Sequence, residues 1–246
     1  MINRCRQILL GLFLATFGLA GQLAASERVD LLLVLSADVS RSVDAEKFKL
    51  QREGYATAFS ETGVVQAMTS GPLGRTAVIF VEWAGQGQQQ VVTDWTLIKD
   101  AESARGFGDA LLEAPRSFAG RTSISTGIDF AMEQFARAPY QADRRIIDIS
   151  GDGTSNSGRD VRAARDEAVA QGVTINGVVI LSEVPLATFP GHTHPPGGLE
   201  NYYRENVVGG DGAFVRVAAN FQSFGRAIIN KLITEVSALP GPRPTP

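Results

Sequence analysis

The stretch Leu31-Leu-Leu-Val-Leu-Ser-Ala-Asp38-Val-Ser40-Arg-Ser42 decides how this chain reads. An apolar run stops at one carboxylate, and hydroxyls follow two and four residues later. The run has the length of a strand buried on both faces, bounded by turn-type residues. Asp38, Ser40 and Ser42 then fall in the turn after the strand, where alternate residues point the same way. One anionic and two neutral oxygens converging on a point suit a hard divalent cation, because Mg²⁺ and Mn²⁺ prefer oxygen ligands. A capping Asp and a helix-starting Ser would give the same local pattern, so the rest of the chain must decide.

The chain has 246 residues, of which 44% are hydrophobic and 20% charged. That is the length and composition of one globular domain with a buried core. Residues 1–26 differ. Arg4 and Arg6 precede an apolar run from Ile8 to Ala20, and Ala24, Ala25 and Ser26 follow. This is the pattern of a secretory signal peptide cut near Ala25 or Ser26, and the apolar run is too short to span a membrane comfortably. Cleavage removes Cys5, the only cysteine. The mature chain then has no disulfide, zinc–thiolate site or cysteine nucleophile. It also loses two positive charges from a formal net charge of −3. An acidic exported chain without a basic run argues against nucleic acid. No second apolar stretch is long enough to leave a stable membrane anchor after cleavage.

Beyond the first strand, 29–36, the pattern alternates. A helix over 43–61 carries Phe48, Tyr55 and Phe59 on one face, with Asp44 and Glu46 in its first turn. Strands follow over 76–83 and 89–95, joined by Gly85-Gln-Gly87 as an antiparallel hairpin. Residues 99–113 read as a helix, 116–121 as a loop, and 123–137 as a helix with Ile124, Ile128, Ala131, Met132 and Phe135 at helical spacing. A strand over 145–150 leads into the loop Gly151-Asp152-Gly-Thr-Ser-Asn-Ser-Gly158. Ser157-x-x-Asp160 reads as the cap of a helix reaching Gln171, and 173–181 as the next strand. Residues 182–200 form a loop rich in Pro and Gly. A short helix over 199–206, a strand over 213–218 and a final helix over 220–237 complete the domain, 27–238. The tail 239–246 has the composition of a disordered segment.

Alternating strands and helices imply an α/β sheet covered on both faces, with ligands beyond the carboxyl ends of its strands where strand order reverses. Asp38 and Asp152 both follow apolar strands. If those strands are neighbours, the two carboxylates face each other.

Three segments now stand together: Asp38-x-Ser40-x-Ser42, Thr122 in Gly120-Arg-Thr-Ser-Ile-Ser-Thr-Gly127, and Asp152 in Ser150-Gly-Asp-Gly153. In this the chain resembles the von Willebrand factor A domain family, and in detail a bacterial exported subgroup of unknown function (DUF1194-like). The family's metal-ion-dependent adhesion site (MIDAS) has the pattern Asp-x-Ser-x-Ser, then Thr, then Asp after the fourth strand. The resemblance implies a three-layer α/β/α, doubly wound, mostly parallel six-stranded sheet with one antiparallel edge strand. It also implies a metal site of Asp38, Ser40, Ser42, Thr122 and Asp152 holding Mg²⁺ (or Mn²⁺ or Ca²⁺). Ser40 and Ser42 would ligate directly, Thr122 directly or through water, and the two Asp partly through water. Few direct carboxylates leave the cation under-neutralised, so an acidic side chain of a partner protein can take an open position. Two departures are Gly151, where many relatives carry a hydroxyl, and Trp83 at the end of the second strand. Asp148, inside its strand and without the glycine context, is set aside for Asp152.

Other residues have plainer readings. His192 and His194 lack a third ligand nearby and read as part of a solvated loop, which overhangs the metal face and shapes partner selectivity. Trp83 and Trp95 read as packing residues. Arg41 and Arg121 flank the ion and either steer an acidic ligand or are simply solvated. The function implied is a metal-dependent protein-binding module, periplasmic or secreted, and not an enzyme. The alternative is a Mg²⁺-dependent phosphoryl-transfer enzyme with Asp38 as nucleophile. Against it, Ser40 stands where such enzymes carry a second Asp, and no lysine is evidently placed to hold a phosphoryl group. Gly-x-Ser-x-Gly, Walker and dinucleotide fingerprints are absent.

Overall fold

The computed structural model describes residues 26–237. The expected signal peptide and the tail 239–246 lie outside the described residues, Ser26 excepted. In chain order the elements are β1 (Glu27–Arg28), β2 (Leu31–Asp38), α1 (Ala45–Ser60), α2 (Thr62–Met68), β3 (Thr76–Trp83), β4 (Gln89–Ile98), α3 (Ala101–Glu113), α4 (Ile124–Arg137), β5 (Tyr140–Gln141) and β6 (Arg145–Gly151). They continue with α5 (Val161–Ala170), β7 (Thr174–Ile180), α6 (Pro190–Thr193), α7 (Leu199–Asn206), β8 (Val215–Ala218), a 3₁₀ turn (Phe221–Ser223) and α8 (Phe224–Ser237).

Six strands form the main sheet in the order β4-β3-β2-β6-β7-β8. All neighbours run parallel except β3 and β4, so the antiparallel strand is at the edge, as expected. The continuous apolar character of β2 follows from its position. Every one of its residues is buried, because helices cover both faces of the sheet. Leu31, Leu33, Leu35 and Ala37 pack with side chains of α1, α2, α3 and α8. Leu32 and Val34 pack with those of α4, α5 and α7. The result is three layers, helix–sheet–helix.

Several boundaries differ from the sequence reading. β2 extends to Asp38, which still pairs with Trp83 of β3. β4 runs on to Ile98, opposite Thr76. Residues 62–68 form a separate helix, α2, and β1 pairs with β5 in a small second sheet. The cap of α5 is Asp160 itself, whose carboxylate accepts from the N–H of Arg162 and Ala163. Ser157 is occupied elsewhere, its hydroxyl turned to the Thr122 carbonyl at 3.4 Å.

Strand order reverses at β2, which has β3 on one side and β6 on the other. Ala37 pairs with Ser150, so the carboxyl ends of β2 and β6 open side by side. Asp38 ends one strand and Asp152 follows the other.

Candidate metal centre

Three loops meet at that opening. The first, after β2, is tied down at both ends. Val39 N–H donates to the Trp83 carbonyl and Arg41 N–H to that of Gly120, each at 2.9 Å. The Arg116 guanidinium donates to the carbonyls of Val39 (2.7 Å) and Ser40 (3.0 Å). Asp38 Oδ1 accepts from Ser40 N–H at 2.7 Å, which turns the chain and brings both serine hydroxyls inward.

The second loop carries Thr122. A buried ion pair holds its start: Arg52 of α1 donates to Glu82 of β3 at 2.7 Å, and Glu82 Oε2 accepts from Ser117 N–H at 2.9 Å. The third loop, after β6, is zipped onto the second. Thr122 N–H donates to Asn156 Oδ1 at 2.9 Å, and Asn156 N–H donates back to the Thr122 carbonyl at 2.8 Å.

The five residues named from the sequence therefore converge and are all buried. Ser42 Oγ donates to Asp152 Oδ1 at 2.6 Å, and the hydroxyls of Ser40 and Ser42 stand 3.2 Å apart. Among the described residues no three His, Cys, Asp or Glu side chains gather closely enough to hold an ion by themselves. Hydroxyl groups fill the space between the carboxylates.

Buried carboxylates resist ionisation. Burial first, and Asp152 second, push Asp38 up to about 8. Burial likewise raises Asp152, against the pull of the Ser42 hydroxyl and Lys47. Asp38 Oδ2 and Asp152 Oδ2 are buried without a hydrogen-bond partner. Buried carboxyl oxygens without a hydrogen-bond donor, next to the Ser40 and Ser42 hydroxyls, fit a hard divalent cation, which would favour their ionised form.

Four neighbours were not legible as site residues. Lys47 of α1 donates to the Ser42 carbonyl at 2.8 Å and lies 3.7 Å from Asp152 Oδ2. In the sequence no lysine is evidently placed to hold a phosphoryl group; the fold brings Lys47 beside Asp152. Its position three residues after the α1 cap, Asp44, was the available signal. His192 is not solvated: it is 2% exposed, with Nε2 3.3 Å from Thr122 Oγ1. Burial holds its imidazole below the usual range, with Asp152 pulling the other way. His194 is exposed, as read. Tyr203 of α7 reaches under the site, its hydroxyl 3.4 Å from the Gly153 carbonyl. Asn156 holds Thr122 as described. No local pattern announces His192, Tyr203 or Asn156, because each is brought in by tertiary folding.

Both departures from the family pattern have a physical account. A Cβ at Gly151 would run into the Tyr203 hydroxyl and meet Asp38 Oδ2 at 3.3 Å, so glycine leaves room for the phenol. Trp83 is fully buried and packs on Gly127 of α4. Trp95 also packs, tilted against Phe135 at 6.2 Å. Arg41 and Arg121 are exposed beside the site, and Arg121 donates to the Asn156 carbonyl.

Residues 28–240 match the model of a family described as "protein of unknown function (DUF1194)". The chain belongs to the DUF1194 family. No curated protein matches it in sequence. Its fold is that of von Willebrand factor A domains. Proximal thread matrix protein 1 of the mussel byssus superposes with a TM-score of 0.61 at 14% identity, over 86% of this chain and 49% of that one. Another crystal structure of that mussel protein has a zinc-occupied MIDAS motif. The pilus adhesin SpaC of Lactobacillus rhamnosus GG gives 0.58 at 11% identity, over 85% and 31%. A von Willebrand factor type A protein from Catenulispora acidiphila gives 0.53 at 17%, over 85% and 42%. This DUF1194 chain thus spans half or less of each of these larger chains.

Proposed function

We propose that this DUF1194 protein is an exported, metal-dependent protein-binding module and not an enzyme. Asp38, Ser40, Ser42, Thr122 and Asp152 would hold the divalent cation, Mg²⁺ or a close relative. The observation that carries this reading is the pair of buried carboxyl oxygens on Asp38 and Asp152 that accept no hydrogen bond, next to the Ser40 and Ser42 hydroxyls. When bound, the ion would supply a Lewis-acidic position open to a carboxylate of a partner protein. The chain's part is to hold the hydroxyls in place and to keep water from the two carboxylates. The exposed Arg41 and Arg121 would raise the local concentration of an acidic ligand. The zinc-bearing MIDAS of the mussel protein supports divalent metal binding on this fold. The pilus adhesin supports a role in adhesion. Export rests on the sequence of residues 1–26. Among the described residues no helix is long and apolar enough to cross a membrane.

Phosphoryl transfer from Asp38 gains Lys47 as a possible phosphate-holding group. It still lacks an acid–base group at the second position, where Ser40 stands, and Lys47 is engaged with the Ser42 carbonyl. The test is capture of a partner on immobilised protein with Mg²⁺, with chelator, and with an Asp38→Ala variant. A protein retained only with Mg²⁺ by the unaltered chain supports the reading. A partner held equally in chelator and by the variant contradicts it.

A further inference from the structure

His192 is the residue that the sequence left outside the site and the fold brings into it. Its surroundings are built around the ring. A Cβ at Gly153 would overlap the imidazole, so the glycine after Asp152 gives the ring its place. The ring stacks on Phe189 at 6.4 Å with 24° between planes. The backbone is held on both sides: His192 N–H donates to the Phe189 carbonyl at 3.0 Å, and Thr154 N–H donates to the His192 carbonyl at 2.9 Å. Nδ1 faces the Thr154 hydroxyl at 3.5 Å. A proton on that nitrogen leaves the Nε2 lone pair on the side of Thr122.

The separation of Nε2 from Thr122 Oγ1, 3.3 Å, is informative. It is long for a hydrogen bond, as is the 3.5 Å from Nδ1 to the Thr154 hydroxyl, against a usual range of about 2.7–3.2 Å. Two donors each about 2.1 Å from one ion stand roughly 3.0 Å apart at a right angle and roughly 3.4 Å apart at a tetrahedral angle. The Ser40–Ser42 hydroxyl pair, at 3.2 Å, has the same spacing. By contrast, Ser42 and Asp152 at 2.6 Å are an ordinary strong hydrogen bond. The Ser40–Ser42 and Thr122–His192 pairs are long hydrogen-bond contacts whose spacing also matches that of two ligands on one ion, one pair of two oxygens and one of an oxygen and a nitrogen.

We propose that His192 is a nitrogen ligand of the metal centre, making it a mixed nitrogen–oxygen site that selects borderline ions such as Co²⁺ and Zn²⁺ over Mg²⁺. The inference rests on the reading that Asp38 and its neighbours hold a cation. It adds a preference among the divalent ions that the site can take. It also gives the loop between β7 and α7 a defined attachment: the loop is fastened to the metal centre by one side chain, with Val184 and Phe189 exposed on either side of Leu186. Imidazole suits Co²⁺, Ni²⁺ and Zn²⁺, whereas Mg²⁺ keeps to oxygen and water.

The test uses untagged, chelator-treated protein. Mg²⁺ and Co²⁺ are titrated calorimetrically, and the Co²⁺ complex is examined for a paramagnetically shifted imidazole N–H proton. The unaltered protein should bind Co²⁺ at least about tenfold more tightly than Mg²⁺ and show one shifted N–H. His192→Ala and His192→Gln should weaken Co²⁺ binding more than Mg²⁺ binding, lowering the Co²⁺-to-Mg²⁺ affinity ratio at least about fivefold, and lose the shifted resonance. Thermal melts of the chelated proteins show whether both variants are folded. A Co²⁺ complex without the resonance, equal preference in the variants, or joint loss of both ions in the two variants would overturn the proposal. Failure of the unaltered protein to bind either ion, or unchanged binding by Asp38→Ala, would overturn the underlying metal-site reading and this inference with it.

Discussion

Lys47 Nζ lies 3.7 Å from Asp152 Oδ2 while donating to the Ser42 carbonyl at 2.8 Å. The chain thus keeps a monovalent cation of its own beside the carboxylate expected to face the metal. Lys47 is partly exposed, so its influence is tempered by solvent. Like charges still repel at this range. Lys47→Met should therefore tighten Mg²⁺ binding by about tenfold and lower the stability of the chelated protein. Parallel calorimetry and thermal melts check both. Weaker Mg²⁺ binding in the variant would mean that Lys47 organises the site instead of competing with the ion.

The buried carboxylates make a pH prediction. Asp38 has an ordinary value of 3.8 and is pushed up to about 8 by burial. Asp148, also buried, is raised to about 7, and Asp152 is raised as well. Between the unfolded and folded values the folded chain retains protons that the unfolded chain has released. Stability then falls as pH rises. Chelated protein should melt at a higher temperature at pH 5 than at pH 8, and Asp38→Asn should flatten the slope. The Mg²⁺ affinity should rise with pH through about 8, because the ion displaces those protons. A melting temperature that climbs from pH 5 to pH 8 in chelator would contradict this.

Gly151 and Tyr203 form a packing pair that can be tested alone. Restoring a side chain at Gly151 puts it against the Tyr203 hydroxyl. Gly151→Ser should cost about 1–3 kcal/mol by overpacking. Tyr203→Phe in the same chain should recover part of that loss, since it removes the atom in the way. Denaturant titration of the two single variants and the double variant measures the coupling. Additive effects would refute the pairing.

A second buried cluster lies deeper, between the sheet and α8. Lys231 is fully buried and pairs with Asp148 and Glu235, each at 2.8 Å. Asn176 donates to Glu235 at 2.6 Å. Lys231→Met would leave two carboxylates facing one another without a cation, at a cost of about 3–5 kcal/mol. Adding Asp148→Asn to that variant should reduce the loss. Equal stability of Lys231→Met and the unaltered protein, by chemical denaturation, would show that the cluster is already neutral.

The sheet was legible because burial on both faces writes itself into β2, β3, β6 and β7 as apolar runs. The antiparallel edge showed in Gly85-Gln-Gly87. The candidate ligands Asp38, Ser40, Ser42 and Asp152 were legible because each sits in a short motif at a strand end, and Thr122 because it lies just before α4. α2 was missed because Thr62–Met68 is a single short helix set directly after α1. His192 was misread for a different reason: its partner Thr122 is 70 residues away, so only the folded chain brings them together. The exposure expected of a Pro- and Gly-rich loop holds for His194 but not for the neighbour that faces inward.

The most direct test of the metal centre is calorimetric titration of Mg²⁺ into chelator-treated protein beside its Asp38→Ala variant. Saturable binding with one ion per chain, lost in the variant, is the predicted result. Absence of binding in the unaltered protein, or equal binding in the variant, would contradict the account.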